Sequence, residues 1–199
     1  MKIKILSKGK EEIKFEVDKI NPAFANALRR TMIMEVPTLA IEEVDFRAND
    51  SPMFDEVLAH RLGLIPVKFK PKMLKKMADC SCEGEGCINC QVVFVLDKTG
   101  PAIIYSGDLK STNPDVEPLY DNIPIVKLGE KQRLIFEATA IIGTGKEHVK
   151  WKAANAFYTY KDDKFVFTVE TISGLSPKEI ITKATEIMEE KSKELTKLL

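Results

Sequence analysis

Residues 21–37 read NPAFANALRRTMIMEVP, and the rest of the chain is arranged around this stretch. It predicts a helix with both ends marked. Asn21 is a strong N-cap, Pro22 suits the first helical position, and Pro37 cannot continue the helix. Phe24, Ala27, Leu28, Thr31 and Met32 recur at i, i+3, i+4, i+7 and i+8, which gives one apolar face. Asn26, Arg29 and Arg30 lie off that stripe. The pattern predicts a helix packed on a sheet while the doubled arginine points elsewhere. On pattern alone, the arginines are a solvated face.

Working outward, residues 1–20 predict a hairpin. Ile3 and Ile5 alternate with lysines, Gly9 marks a turn, and Ile13, Phe15 and Val17 alternate with charged residues. Two strands followed by a helix make an α+β beginning. Beyond Pro37, Leu39, Ile41, Val44 and Phe46 predict a strand with a bulge near Glu42 and Glu43. Asp50-Ser51-Pro52 is turn chemistry. A second helix is expected over residues 53–62, with Val57, Leu58, Arg61 and Leu62 at helical spacing and Gly63 just past its end. Residues 65–67 leave it in extended form. His60 lies in this helix. A catalytic histidine needs a nucleophile or carboxylate within hydrogen-bond reach, and its sequence neighbours offer none. It reads as a structural or interface residue.

Residues 68–79 are rich in lysine and methionine and read as a surface connection. All four cysteines follow at once: Cys80, Cys82, Cys87 and Cys90, in CSCEGEGCINC. Such clustering points to one local site, not to a disulfide framework spread through a secreted fold. Four thiolates suit a tetrahedral zinc ion. The Cys87-x-x-Cys90 half has knuckle spacing, and Gly84 and Gly86 let the loop fold back so that both halves reach one metal. A structural zinc site is the favoured reading. Disulfides within a hyperthermophile and an iron–sulfur cluster are the alternatives. Four thiolates would fill the tetrahedron and leave no position for a catalytic water.

Downstream, residues 92–96 form a continuous apolar run and predict a buried strand, with residues 102–105 as its neighbour. Residues 111–122 are rich in turn formers. Pro124 limits the strand around Ile125 and Val126 to a short or edge position. Leu134, Phe136 and Ala138 alternate as strand residues do. Gly143-Thr144-Gly145 breaks the pattern, but both the Walker spacing and GxGxxG are absent, so it is a weak phosphate-loop signal. His148 and Trp151 read as packing residues. Residues 156–160 and the alternating Phe165, Phe167 and Val169 predict a hairpin that turns at residues 161–164. Ser176, Pro177 and Glu179 form a capping box with proline at the first helical position. A helix of about 23 residues follows, ~34 Å long at ~1.5 Å per residue. Ile181, Ala184, Met188, Leu195 and Leu198 lie near one face, interrupted by Lys191. That length exceeds what a small domain covers, so a partner chain is expected against it.

The 30 basic and 30 acidic residues among 199 cancel. Zero net charge argues against a protein whose main task is electrostatic binding of nucleic acid, which needs a basic excess. No apolar run approaches the ~20 residues that span a bilayer, and the N-terminus lacks signal-peptide features. The chain reads as soluble and cytoplasmic.

NALRRTMIMEVPTLAIEEVDF (26–46), DEVLAHRLGLIPV (55–67), the clustered cysteines and GKEHVKW (145–151) occur in an order that resembles the D subunits of archaeal DNA-directed RNA polymerase. They are also similar to the third-largest subunit of eukaryotic RNA polymerase II and, more distantly, to the N-terminal domain of the bacterial alpha subunit. The LRRT and AHRLGLIP stretches are the specific ones, and the likeness runs over nearly the whole chain.

This resemblance implies a non-catalytic assembly role. It implies an α+β dimerisation domain made from both chain ends, residues 1–38 and 152–199, with a mainly β inserted domain, residues 39–151. It implies pairing with the smaller subunit L, and then binding of the second-largest subunit and of the small zinc-binding subunits N and P. Sequence-specific contact with nucleic acid is not implied. By carry-over, Phe24, Leu28 and Met32 belong to the dimer interface, and Arg29 and Arg30 face the large subunits. Ile181, Ala184, Met188 and Leu195 supply the second helix of that interface. The cysteines resemble the eukaryotic zinc loop, although four residues separate Cys82 from Cys87 here. Many members of this family carry a further ferredoxin-like domain. This chain has neither an insertion long enough for it nor a second cysteine set, so no iron–sulfur cluster is expected. Without the resemblance, two other classes stand: a small zinc-dependent enzyme using His60 or His148 as acid or base, and a homodimeric interaction module.

Overall fold

The computed structural model describes residues 1–161 and 164–199. In chain order the elements are β1 (Lys2–Lys8), β2 (Glu12–Asp18), α1 (Pro22–Met34), β3 (Thr38–Asn49), α2 (Asp55–Gly63), β4 (Val67–Lys68), β5 (Gln91–Thr99), β6 (Ala102–Tyr105), β7 (Lys110–Ser111), β8 (Glu117–Pro118), β9 (Pro124–Leu128), β10 (Arg133–Gly143), β11 (Ala154–Lys161), β12 (Lys164–Thr171) and α3 (Pro177–Leu198). This is an α+β chain. It divides into two compact units, Met1–Thr38 with Thr144–Leu199, and Leu39–Gly143.

The first unit is one antiparallel sheet, ordered β1-β2-β12-β11, with α1 and α3 against it. The register places Phe15 opposite Phe167 and Val17 opposite Phe165, so the apolar residues of β2 and β12 share a face. Their rings form the centre of the core. Phe15 and Phe167 stack at 5.1 Å, and Tyr158 leans on Phe165 and Phe167 at 5.3 and 5.4 Å. Both helices start where their caps require. Asn21 Oδ1 accepts from the Phe24 N–H at 2.7 Å. Ser176 Oγ accepts from Glu179 N at 3.3 Å, and Glu179 Oε2 accepts from Ser176 N at 2.8 Å, closing the capping box. Asp162 and Asp163, the centre of the turn expected at residues 161–164, lie outside the described residues.

Three expectations shift here. In α1 the buried residues are Ala25, Leu28, Thr31 and Met32, while Phe24 and Ala27 are exposed. The spacing fits both faces, and the helix turns the one with Ala25 inward. In α3 the inward residues are Ile180 and Ala184, Ile181 and Met188 are half-buried, and every residue from 189 to 199 is exposed. The third shift is the return boundary, which falls at 144 and not at 152. Lys146 N donates to Met34 O at 2.9 Å, and Thr38 Oγ1 donates to the carbonyl of buried Trp151 at 2.8 Å. These bonds tie residues 144–151 to the end of α1. Gly145 permits this approach, because a Cβ there would stand 2.6 Å from Ile33 O.

The second unit centres on a sheet ordered β3-β10-β5-β7. The β10–β5 register sets Phe136 opposite Leu96 and Ala138 opposite Phe94, all fully buried. In β3, Leu39, Ala40 and Ile41 are buried and Glu42 and Glu43 are both exposed, so the alternation breaks at those two residues. Residues 102–105 do not join residues 92–96. Both sides of β5 are taken, by β10 and β7, and β6 pairs instead with β9. The turn-rich stretch 111–122 contains β8, which pairs with β4. Helix α2 starts two residues later than expected and includes Gly63. It buries Leu58 and Leu62 and leaves Val57 exposed. Among the described residues no helix is long and apolar enough to cross a membrane.

Candidate metal centre and exposed apolar faces

The cysteine loop folds through successive tight turns. Glu83 N donates to Cys80 O at 3.2 Å, Glu85 N to Cys82 O at 3.0 Å, and Cys90 N to Cys87 O at 3.0 Å. Glu83, Gly84 and Gly86 take positive φ values of 53°, 91° and 88°, and at the two glycines this reversal meets no Cβ. The chain returns at Lys75, whose N–H donates to Asn89 O at 2.8 Å, and β5 begins directly after Cys90.

The turns bring all four sulfurs within 4.8 Å of one another. Cys80 Sγ lies 3.5 Å from Cys87 Sγ, Cys82 Sγ 3.6 Å from Cys90 Sγ, and Cys90 Sγ 3.8 Å from Cys87 Sγ. A tetrahedron with ~2.3 Å metal–sulfur bonds has edges of about 3.8 Å. Cys87 N also donates to Cys90 Sγ at 3.2 Å, a backbone contact that supports a thiolate at that corner. The four cysteines can therefore hold one metal ion.

The electrostatics of the bare thiols are opposed. A hydrogen bond from Cys80, helped by the N–H groups of Gly84 and Gly86, holds Cys82 down to about 6 against the effect of burial. Burial pushes Cys90 up to about 12. Four thiolates this close repel one another, and a cation at their centre is what lets all four ionise together.

The other expected site residues fall in the first unit. Leu28, Met32 and Ala184 are buried within that unit, so they are not at its surface. Phe24 is 39% exposed and Leu195 61%. Ile181 and Met188 are half-buried. The arginine pair separates. Arg29 is half-buried, and its Nε and Nη2 donate to Asn26 Oδ1 at 3.2 and 2.9 Å, whereas Arg30 is exposed. Lys191 pairs with Glu35, tying the C-terminal half of α3 to the end of α1.

Sequence reading missed the uncovered edge of the sheet. Ile3 and Ile5 stand opposite buried Val17 and Phe15, yet they are 61% and 58% exposed. Their alternation with lysine signalled a half-buried strand, and no local signal marks that the helices stop short of it. The histidines gather no site. His60 is exposed on α2. His148, expected in the packing, is exposed, and its Nδ1 accepts from Lys150 N at 3.1 Å. Trp151 is buried, as a packing residue should be, with the Lys150 ammonium 4.5 Å from its ring centroid.

A four-cysteine loop able to hold a metal, within a mainly β insert of a chain whose two ends build an α+β unit, defines a class of protein. The family model described as RNA polymerase Rpb3/RpoA insert domain matches residues 41–159, and the chain belongs to this family. It is 34% identical over 258 residues to the DNA-directed RNA polymerase subunit Rpo3 of Methanothermobacter thermautotrophicus, covering 98% of this chain and 97% of that one. Against Rpo3 of Methanocaldococcus jannaschii it is 46% identical over 171 residues, 85% of this chain and 81% of the relative. Against Rpo3 of Pyrococcus horikoshii the 46% identity runs over 160 residues, 80% of this chain and 60% of the relative. The first of these alignments is longer than the 199-residue chain itself, so that relative holds residues with no counterpart here.

Proposed function

We propose that the chain is the D-type assembly component of an archaeal DNA-directed RNA polymerase. It performs no chemistry of its own. It pairs through the first unit with the smaller subunit L, and the pair receives the second-largest subunit and the small zinc-binding subunits N and P. The work is done in the cytoplasm.

The observation that carries this reading is the bare apolar surface of the first unit. Ile3 and Ile5 extend the core face of the sheet beyond its helices, and Leu195 and Leu198 are exposed on a helix that outruns its own domain. Monomeric proteins seldom leave such a strip uncovered. Phe24, Ile181, Met188 and Leu195 are the residues that would meet subunit L, with Leu28, Met32 and Ala184 holding their helices in place from beneath. Arg30 is the exposed member of the pair that would face the large subunits, and Arg29 is braced on Asn26.

The cysteine loop is proposed to hold structural zinc. Its sulfurs are spaced as corners around one ion. In a four-iron cluster each cysteine binds a different iron, which sets the sulfurs farther apart, so no iron–sulfur cluster is assigned. Four thiolates also leave no open position, which speaks against a zinc enzyme.

Co-expression with subunit L tests the reading. The expected result is a one-to-one complex with one zinc ion for this chain. A stable monomer that ignores subunit L, or a homodimer that persists in its presence, would overturn it.

A further inference from the structure

The metal loop carries a second property beyond binding an ion, and the inference rests on reading residues 80–90 as a metal site. We propose that hydrogen peroxide converts the loop into a metal-free form closed by two crossed disulfides, Cys80–Cys87 and Cys82–Cys90, and that a thiol reductant with zinc restores it.

The sulfur contacts at 3.5 and 3.6 Å use each cysteine once. They define a complete pairing. A disulfide is about 2.0 Å long, so each pair closes by roughly 1.5 Å, within reach of side-chain rotation. The turns from Cys80 to Glu83, Cys82 to Glu85 and Cys87 to Cys90 need not open. Knuckle spacing alone would favour Cys87–Cys90. That choice forces Cys80 onto Cys82, two residues away, in a ring too small for the preferred disulfide dihedral. The remaining pairing joins Cys80 to Cys90 and Cys82 to Cys87. It sets both buried sulfurs together and both accessible ones together.

The crossed pairing instead gives each bond one accessible and one buried cysteine. Cys82 and Cys87 are partly exposed, and Cys90 and Cys80 are buried. The accessible thiolate attacks one peroxide oxygen and displaces hydroxide, becoming a sulfenic acid. Its buried partner attacks that sulfur and displaces a second hydroxide. Each pair thus loses two electrons, one peroxide is reduced to two hydroxides, and the ion leaves as its thiolates are consumed.

The full chain loaded with zinc is titrated with hydrogen peroxide while released zinc and free thiols are followed. A glutamate-specific protease then cuts at Glu83 and Glu85, between the two cysteine halves. Expected are loss of the zinc, loss of all four thiols after two peroxides, and fragments that stay joined until reduced. The Cys80→Ser/Cys87→Ser and Cys82→Ser/Cys90→Ser chains each close their remaining pair, and the Cys80→Ser/Cys90→Ser chain does not. Fragments that separate without reductant, sulfinic or sulfonic acids in place of disulfides, or retained zinc would each overturn the proposal. A chain that takes up no zinc at all overturns the metal reading instead, and the disulfide map of that sample decides the pairing by itself.

Discussion

Ile3 stands opposite Val17 across the β1–β2 register, yet Val17 is 3% exposed and Ile3 61%. The two residues share one face of one sheet. The cover given by α1 and α3 ends between them, and that end is where a partner chain would continue the core.

Within the covered part, truncation should be severe. Phe167 is fully buried and stacks on Phe15, so Phe167→Ala is expected to cost about 3–5 kcal/mol in chemical denaturation. A loss under about 1 kcal/mol would mean that this stack is not at the centre of the core.

The helix starts are separable from the core. Ser176→Ala removes the side chain that accepts from Glu179 N, and Asn21→Ala removes the acceptor for Phe24 N. Each should lower stability by about 1 kcal/mol, with glycine less costly than alanine at both positions. Equal losses for glycine and alanine would show that the side chains act by something other than capping.

Much of this was readable in the sequence, because the cues were local. Asn21-Pro22 and Ser176-Pro177 fix helix starts by hydrogen bonds to residues three positions on. Leu134, Phe136 and Ala138 reveal β10 by simple alternation, and the four cysteines reveal their own site. What escaped depends on distant parts of the chain. Phe24 and Ala25 fit the same spacing, and only the sheet beneath decides which one turns inward. The partner of β6 was hidden because β7, two residues long, takes the free side of β5. Residues 144–151 join the first unit through bonds to Met34 and Thr38, and neither bond has a signature in the local sequence.

Asp108 gives the second unit a pH dependence. Its carboxylate accepts from Tyr105 N at 2.9 Å and pairs with Lys98 at 2.9 Å, which holds it below the ordinary carboxylate range. A depressed folded-state value means that the stabilisation is fully present above the unfolded value, about 3.9, and is lost as pH falls through the folded value. Asp108→Asn should therefore be less stable than the parent by roughly 1–2 kcal/mol at neutral pH. The gap should close in acid. A gap that is constant from pH 7 to the acid limit would contradict this origin.

Gly145 should not accept a side chain. A Cβ would meet Ile33 O at 2.6 Å, so Gly145→Ala must displace backbone at the end of α1. A lowered melting temperature is expected, with metal uptake by the cysteine loop unchanged. An alanine variant as stable as the parent would show that residues 144–151 are not held against α1.

The most direct measurement is the native mass of the chain co-purified with subunit L, for the parent and for Phe24→Glu and Leu195→Glu. Both side chains are exposed, so substitution there should change the stability of the chain alone by no more than about 0.5 kcal/mol. The parent is expected as a one-to-one complex, and both variants as folded chains that no longer retain subunit L. Variants that hold subunit L as tightly as the parent would contradict an assembly role for this face.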